Sequence, residues 1–269
     1  MKKLIVNADD FGFSEAYNYG VIHSFEHGVA TSASIMTNMD AAVHAAALAK
    51  MHPKLGVSLH MNIVQGKCCA DPATIPSIVQ PDGSFYRSGE YKADGVIKKG
   101  NGSRIPNKED VKRETRAQLE RFKMLLGYYP VHMEGHSIIH EAIQQGLWEV
   151  AQEYGIHCMA FDGRKQEGYL NVSSPLLDNG EVMQFLTDYH VTGLSAESLI
   201  RFLETRLISK QEVIAFHCHP GYVDATIMDA STLVLQRCRD VQALCDPRVA
   251  QWVKDNNIEL IGYDSIKIA

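Results

Sequence analysis

Apolar residues fall along this chain in two alternating patterns. Short, nearly unbroken apolar runs are followed by longer stretches in which apolar positions recur every three or four residues. The first pattern fits buried strands and the second amphipathic helices. Lys3–Ala8 reads as a strand that stops at the polar pair Asp9 and Asp10. Ser14 is placed to N-cap a helix carrying Tyr17, Val21, Ile22 and Phe25 on one stripe, with Gly28 just past its end. A strand at Ser32–Thr37, an Ala-rich helix at Asp40–Met51 and a strand at Leu55–Met61 follow.

Beyond residue 107 the alternation resumes. Asn107 and Asp110 open a helix with Val111, Leu119, Phe122 and Leu126 buried and Gly127 as its stop. Its Lys/Arg-rich face, Lys108 to Lys123, is interleaved with Glu and Asp, which fits a solvated face. Further strands are expected at Pro130–Glu134, Ile156–Phe161, Glu212–Cys218 and Glu259–Ile261. Helices are expected at His140–Tyr154, Ser195–Leu207, Thr232–Cys245 and Pro247–Asp255. Strand–helix alternation over the whole length predicts an α/β fold with a parallel sheet. Six or seven strands without a dinucleotide fingerprint favour a barrel, not necessarily closed, formed by residues 1–269 as one domain. Residues 62–107 interrupt the alternation with most of the chain's Pro and Gly, and read as an insertion of functional type.

Composition narrows the function. The 269 residues are 45% hydrophobic and 22% charged, which is enough to build a core without disulfides or a structural metal. A net charge of −6 disfavours nucleic acid as the main partner. No apolar run is long enough for a membrane helix. The opening MKKLIV resembles a leader, but its apolar stretch ends at Val6, as a strand would. The Cys residues at 68, 69, 158, 218, 238 and 245 show no CxxC pair and read as reduced thiols in the cytoplasm.

There are 12 His, a reason to look for metal-ligand spacing. In parallel barrels the chemistry sits at the carboxyl ends of the strands. Those ends carry Asp9 and Asp10, then His60, then His132-Met133-Glu134-Gly135-His136 with His140 beyond, and His217-Cys218-His219-Pro220-Gly221. Two imidazoles and one carboxylate can hold Zn²⁺, Mn²⁺, Fe²⁺ or Co²⁺ with positions left open. A second carboxylate could take a proton from water, and another imidazole could protonate a leaving amine, which describes metal-assisted amide hydrolysis. Each piece also has an ordinary structural reading: Asp9-Asp10 as a turn or cap, His60 as a satisfied core residue, His219-Pro220-Gly221 as a tight turn. His136 and His140, spaced i, i+4, would share one face if helical. His23, His27, His44, His52, His157 and His190 read as structural.

Taken in order, the motifs NADDFG, Ser14, Asn18-Tyr19-Gly20, Thr31-Ser32, Leu55 to His60, Pro130 to His136 and His219-Pro220-Gly221 resemble the YdjC-like carbohydrate deacetylases. The resemblance implies a deviant (β/α) TIM-like barrel of about seven parallel strands, related to polysaccharide deacetylases. It implies removal of the N-acetyl group from N-acetylglucosamine units of small chitin oligomers, one divalent metal (Mg²⁺ by the family, with Zn²⁺ or Co²⁺ also open), and a homodimer. By the same resemblance Asp10, His60 and His136 would ligate the metal, Asp9 would be the general base and His219 the general acid. His140 would touch substrate or metal. Glu134 stands where the family usually has Asp, and Ile138 where it often has His, so the substrate edge is expected to differ, with Glu134 in contact with substrate. Phe85, Tyr86 and Tyr91 of the insertion either stack on sugar rings or form its own small core. Other readings are a deacylase of another amino sugar or small amide, a non-catalytic sugar-binding descendant, or a glycoside hydrolase using two carboxylates.

Overall fold

The computed structural model describes residues 2–92, 102–159, 166–170, 172–173, 188–207 and 213–268. Its strands are β1 (Lys2–Phe11), β2 (Ser32–Ile35), β3 (Gly56–Met61), β4 (His132–Gly135), β5 (His157–Cys158), β6 (Val172–Ser173), β7 (Val213–Cys218) and β8 (Ile258–Leu260). They pair in the order β5-β4-β3-β2-β1-β7-β6, every pairing parallel. β8 joins the N-terminal half of β1, at Lys2–Leu4, while β2 takes the C-terminal half from Asn7. The sheet is strongly curled. β4 and β7 are four strand spacings apart, about 19 Å in a flat sheet, yet the Glu134 and His217 side chains meet at 2.9 Å. The result is a half-barrel.

Strand alternation decides what each face holds. Leu4, Val6, Ala8, Ala33, Ile35, Val57, Leu59, Met133, Ile214, Phe216 and Cys218 are buried on the outer face, in two clusters shared with the helices. The inner face holds a small apolar plug of Ile5, Val213, Ala215, Ile261, Tyr263 and Ile266. Above the plug the inner face turns polar, with Asn7, Ser34, Ser58, His132, His157 and Glu134 all buried. A polar layer inside a barrel costs stability unless paired, so it marks where the fold serves something other than packing.

The helices are α1 (Glu15–His27), α2 (Ala42–Met51), α3 (Lys108–Leu126), α4 (Glu141–Tyr154), α5 (Ala196–Leu207), α6 (Ala225–Ala230), α7 (Leu235–Leu244) and α8 (Pro247–Asp255). Ser14 caps α1 by accepting from the Tyr17 N–H, and Asn107 caps α3 by accepting from Glu109. Gly127 and Gly155 end α3 and α4 in the left-handed region. Gly28 ends α1 differently, with φ −125°; a Cβ there would lie 2.6 Å from the Leu244 carbonyl, so close approach and not handedness requires glycine. Among the described residues no helix is long and apolar enough to cross a membrane.

Several boundaries differ from the sequence reading. The helix expected at Thr232–Cys245 begins at Leu235, because Ser231 and Leu233 are used in a turn whose hydroxyl and carbonyl receive the Arg237 guanidinium. α6, capped by Asp224, and the two-residue β6 were not foreseen. The strand expected at Ile156–Phe161 is two residues long, and positions 160–161 lie outside the described residues. Of the segment 62–107, residues 93–101 lie outside the described residues, and the rest is not a bare loop. Ile63, Val64, Ile75, Ile78, Val79, Phe85 and Tyr91 are buried in the main core, and Tyr86 lies beneath the Arg104 guanidinium. Phe85 and Tyr91 therefore belong to the main core, with Tyr86 packed against it.

Candidate active site

β1 delivers both acidic residues to one place by breaking its own alternation. In a regular strand Asp9 would face the barrel and Asp10 the helices. The register against β2 shifts between Ala8 and Phe11, and Asp10 takes φ +64°, a conformation Asp tolerates better than most residues. The Tyr17 hydroxyl donates to the Asp9 carbonyl at 2.8 Å, and Phe13 N–H to the Asp10 carbonyl at 3.0 Å, fixing the turn. β3 contributes His60 from its inner face, opposite Glu134 of β4. His136 lies just past β4, where its N–H extends the ladder to the Met61 carbonyl at 2.9 Å. Ser137 then takes φ +64° and turns the chain. His140 is the N-cap of α4, its Nδ1 accepting from Ala142 N–H at 3.2 Å. His136 therefore precedes the helix, and the shared helical face suggested by the i, i+4 spacing does not form.

Asp10, His60 and His136 bring three ligand atoms together. Asp10 Oδ1 is 3.2 Å from His60 Nε2 and 3.0 Å from His136 Nδ1, and the two nitrogens are 3.1 Å apart. All three residues are buried. Asp10 Oδ1 is fully enclosed, yet no N–H is in line with it. Atoms about 2.1 Å from one ion at neighbouring corners of an octahedron lie about 3.0 Å apart. The donors thus fit a divalent cation, and an enclosed carboxylate oxygen without a donor is what such an ion would satisfy. His140 is outside this group. Burial holds the His136 imidazole below its ordinary value; burial would also lower His60, but the carboxylates of Asp10, Glu134 and Asp9 around it outweigh that and raise it to about 10. Burial would raise the Asp10 carboxyl, but the charges of His136 and Arg237 hold it well below the usual range.

A second grouping, Asp9, His60 and Glu134, has the same ligand types. Its carboxylates are already served by N–H donors. Asn7 Nδ2 donates to Asp9 Oδ1 at 2.7 Å and to Glu134 Oε1 at 3.0 Å. His217 Nδ1 lies 3.2 Å from Asp9 Oδ1 and 2.9 Å from Glu134 Oε2. This grouping supports the first instead. His60 turns Nε2 to Asp10 and Nδ1 toward Glu134 at 3.5 Å, so a carboxylate stands behind a candidate ligand imidazole. Glu134, expected to contact substrate, has its carboxylate directed at His217 and Asn7 inside the barrel.

His217 was named at its strand end without a role, and Arg237 was missed by the sequence reading. His217 follows Val213 and Ala215 on the inner face of β7, so alternation along that strand was a usable signal. Arg237 had none. It is buried on α7 and reaches Asp10 Oδ2 at 2.9 Å, with Phe13 and Tyr17 rings beside its guanidinium. That contact occupies one carboxylate oxygen and leaves Oδ1 toward the imidazoles. Arg237→Met is expected to weaken binding of Zn²⁺ about 10–100-fold, the usual cost of removing a residue that orients a ligand, as read by calorimetric titration of metal-stripped protein. His219 follows β7 in a turn set close to α1, where a Cβ on Gly221 would meet the Tyr17 ring at 1.9 Å.

The model of the YdjC-like protein family matches residues 3–255. A carbohydrate deacetylase of Geobacillus stearothermophilus is 33% identical over 261 residues, covering 96% of each chain. One from Clostridium beijerinckii is 30% identical over 268 residues, covering 98% of this chain and 100% of its own. Among solved structures, an Enterococcus faecalis V583 protein provisionally described as a cellobiose-phosphate cleavage protein superposes with a TM-score of 0.79 at 23% identity, covering 99% of both chains. A family 4 carbohydrate esterase from Streptomyces lividans in complex with acetate gives 0.51 at 12% identity, over 100% of this chain and 97% of that one. At these identities the structural likeness is one of fold, the curled parallel half-barrel. Matched almost end to end by the family and by curated relatives of its own length, the chain belongs to the YdjC-like proteins.

Proposed function

We propose that this protein is a metal-dependent carbohydrate N-deacetylase that hydrolyses the N-acetyl group of N-acetylglucosamine units in small chitooligosaccharides such as diacetylchitobiose, releasing acetate. The observation that carries the proposal is the enclosed Asp10 Oδ1 with two imidazole nitrogens beside it, next to a carboxylate that keeps one oxygen free. Asp9 Oδ1 is occupied by Asn7, Ser34 and His217, whereas its Oδ2 has no hydrogen-bond partner among the described residues. The names of the curated relatives support the carbohydrate and the deacetylation. The finer substrate choice rests on the sequence resemblance.

Asp10, His60 and His136 would hold the ion. A divalent cation there supplies Lewis acidity toward a carbonyl oxygen and makes water more acidic. Asp9 Oδ2 takes the proton of the attacking water. His219 delivers a proton to the departing amine. Burial pushes the His219 imidazole down to about 4, so it is neutral at rest and takes its second proton from solvent as negative charge develops on the substrate beside it. After product leaves, Asp9 returns its proton to solvent. Ligand chemistry with two imidazoles favours Zn²⁺ or Co²⁺, and the family resemblance favours Mg²⁺.

The test is acetate release from diacetylchitobiose by metal-stripped protein given Mg²⁺, Zn²⁺ or Co²⁺ separately. Acetate is expected with at least one ion and none without. Failure with all three overturns the substrate assignment. Turnover of non-sugar amides alone would move the same site to a different acylated amine.

A further inference from the structure

We propose that Tyr189 and Asp240 are positioning residues that fix the resting proton of His219 on Nδ1 and leave Nε2 as the nitrogen that acts on substrate. This rests on the deacetylase reading given above. The hydroxyl of Tyr189 is 2.9 Å from His219 Nδ1 and 2.8 Å from Asp240 Oδ2. A phenol has one proton to give. Asp240 Oδ2 also accepts the backbone N–H of His219 at 2.8 Å, and Oδ1 faces the N–H of Leu194 at 3.4 Å. Asp240 is therefore arranged as an acceptor, fully buried on α7. The phenol gives its proton to Asp240, and its oxygen then accepts the Nδ1–H of His219.

The consequence is geometric as well as electronic. Asp240 holds the backbone of His219 directly and its ring through Tyr189, so one carboxylate sets both the position and the rotation of the imidazole. With Nδ1 as donor, Nε2 carries the lone pair. It accepts a proton from solvent during turnover and passes it to the amine nitrogen as the C–N bond breaks, returning to the Nδ1–H form. The chain Asp240–Tyr189–His219 also faces the positive charge that this step creates on the ring, in the way a buried carboxylate supports a catalytic imidazole elsewhere. The phenol oxygen stands between carboxylate and ring, so neither the tautomer nor the orientation requires Asp240 to touch the imidazole.

The test uses the full chain reconstituted with Zn²⁺ and labelled with ¹⁵N-histidine, with His219 assigned from the His219→Gln spectrum. The expected wild-type signal is a neutral ring protonated at Nδ1. Tyr189→Phe keeps the aromatic ring, which stacks at 6.1 Å from His219, and removes only the hydroxyl. It is expected to lose the tautomer preference and to lower kcat about 10²-fold with KM within about twofold, because substrate contacts elsewhere are untouched. A purely structural Tyr189 would leave the tautomer unchanged. A wild-type ring protonated at Nε2, or a Tyr189→Phe protein with wild-type tautomer and kcat, overturns the proposal. The two readings fail separately. Absence of acetate release from wild type with every ion overturns the chitooligosaccharide assignment, while the nitrogen spectrum still reports the proton on His219 without substrate.

Discussion

Asp9→Asn is expected to lower kcat by about 10²–10⁴-fold, the range for loss of a positioned general base, while divalent-metal content stays at the wild-type level. The substitution is nearly isosteric. The retained Oδ1 still accepts from Asn7 Nδ2 at 2.7 Å and lies near Ser34 Oγ at 3.4 Å and His217 Nδ1 at 3.2 Å. What changes is the free oxygen. Oδ2, able to take a proton, becomes an NH₂ group that already carries two. Asp9 is not one of the two residues, His60 and His136, whose atoms crowd Asp10 Oδ1, so the candidate cation site keeps all its donors. His60→Ala makes the opposite cut. It removes the Nε2 that completes the ligand group and also the ring that faces Glu134, and is expected to lose both ion and turnover. Acetate release and metal analysis of the two variants separate the roles. An Asp9→Asn enzyme with wild-type kcat would sink the base assignment.

The parts of the site that could be read from sequence are those written locally. Ser14 before an amphipathic stripe, Asn107 before another, and Gly127 and Gly155 after apolar runs each encode a helix end within a few residues, and each stands where expected. Strand ends could be found because apolar runs stop at polar residues, and a parallel barrel collects those ends on one face. This is why Asp9, Asp10, His60, His136 and His219 could be named together. Two kinds of information were not local. Backbone conformation was one: the positive φ of Asp10 and of Ser137 redirects side chains in a way that spacing cannot reveal, so the shared face that His136 and His140 would have if helical does not form. Partnership across the chain was the other. Arg237 meets Asp10 over 227 positions, and Asp240 meets Tyr189 over 51. Nothing near Arg237 in sequence distinguishes it from the surface cations Arg113 and Arg116 of α3. Only the curl of the sheet and the packing of α7 against α1 give it a buried carboxylate.

The same curl makes Glu134 the residue whose loss is expected to cost most in stability. Its carboxylate is inside the barrel, 2.9 Å from His217 Nδ1, 3.0 Å from Asn7 Nδ2 and 3.5 Å from His132 Nε2. Burial would raise this carboxyl, but the charge on His217 and the contacts of His132, His217 and His60 hold it well below the usual range. Burial would likewise lower His217, and the charges of Glu134 and Asp9 instead hold it well above its ordinary value. The two form an enclosed ion pair. Removing one partner strands the other, so Glu134→Ala is expected to destabilise the metal-free protein by about 3–5 kcal/mol, a fall in Tm of roughly 10 °C. Glu134→Asp withdraws the carboxylate by one methylene and is expected to cost less than half as much. The pH dependence follows from the directions of the two shifts. The depressed Glu134 contributes fully above the unfolded carboxyl value, about 4.3, and its part is lost as pH falls through its folded value. The elevated His217 contributes fully below the unfolded imidazole value, about 6.5, and its part is lost as pH rises through its folded value. The penalty of Glu134→Ala should therefore be largest between about pH 4.5 and 6.5 and shrink on both sides. Thermal melts of metal-stripped wild type and variant from pH 3.5 to 9 test this. A penalty that does not change with pH would mean that the pair is held by shape and hydrogen bonds, with no charge on His217.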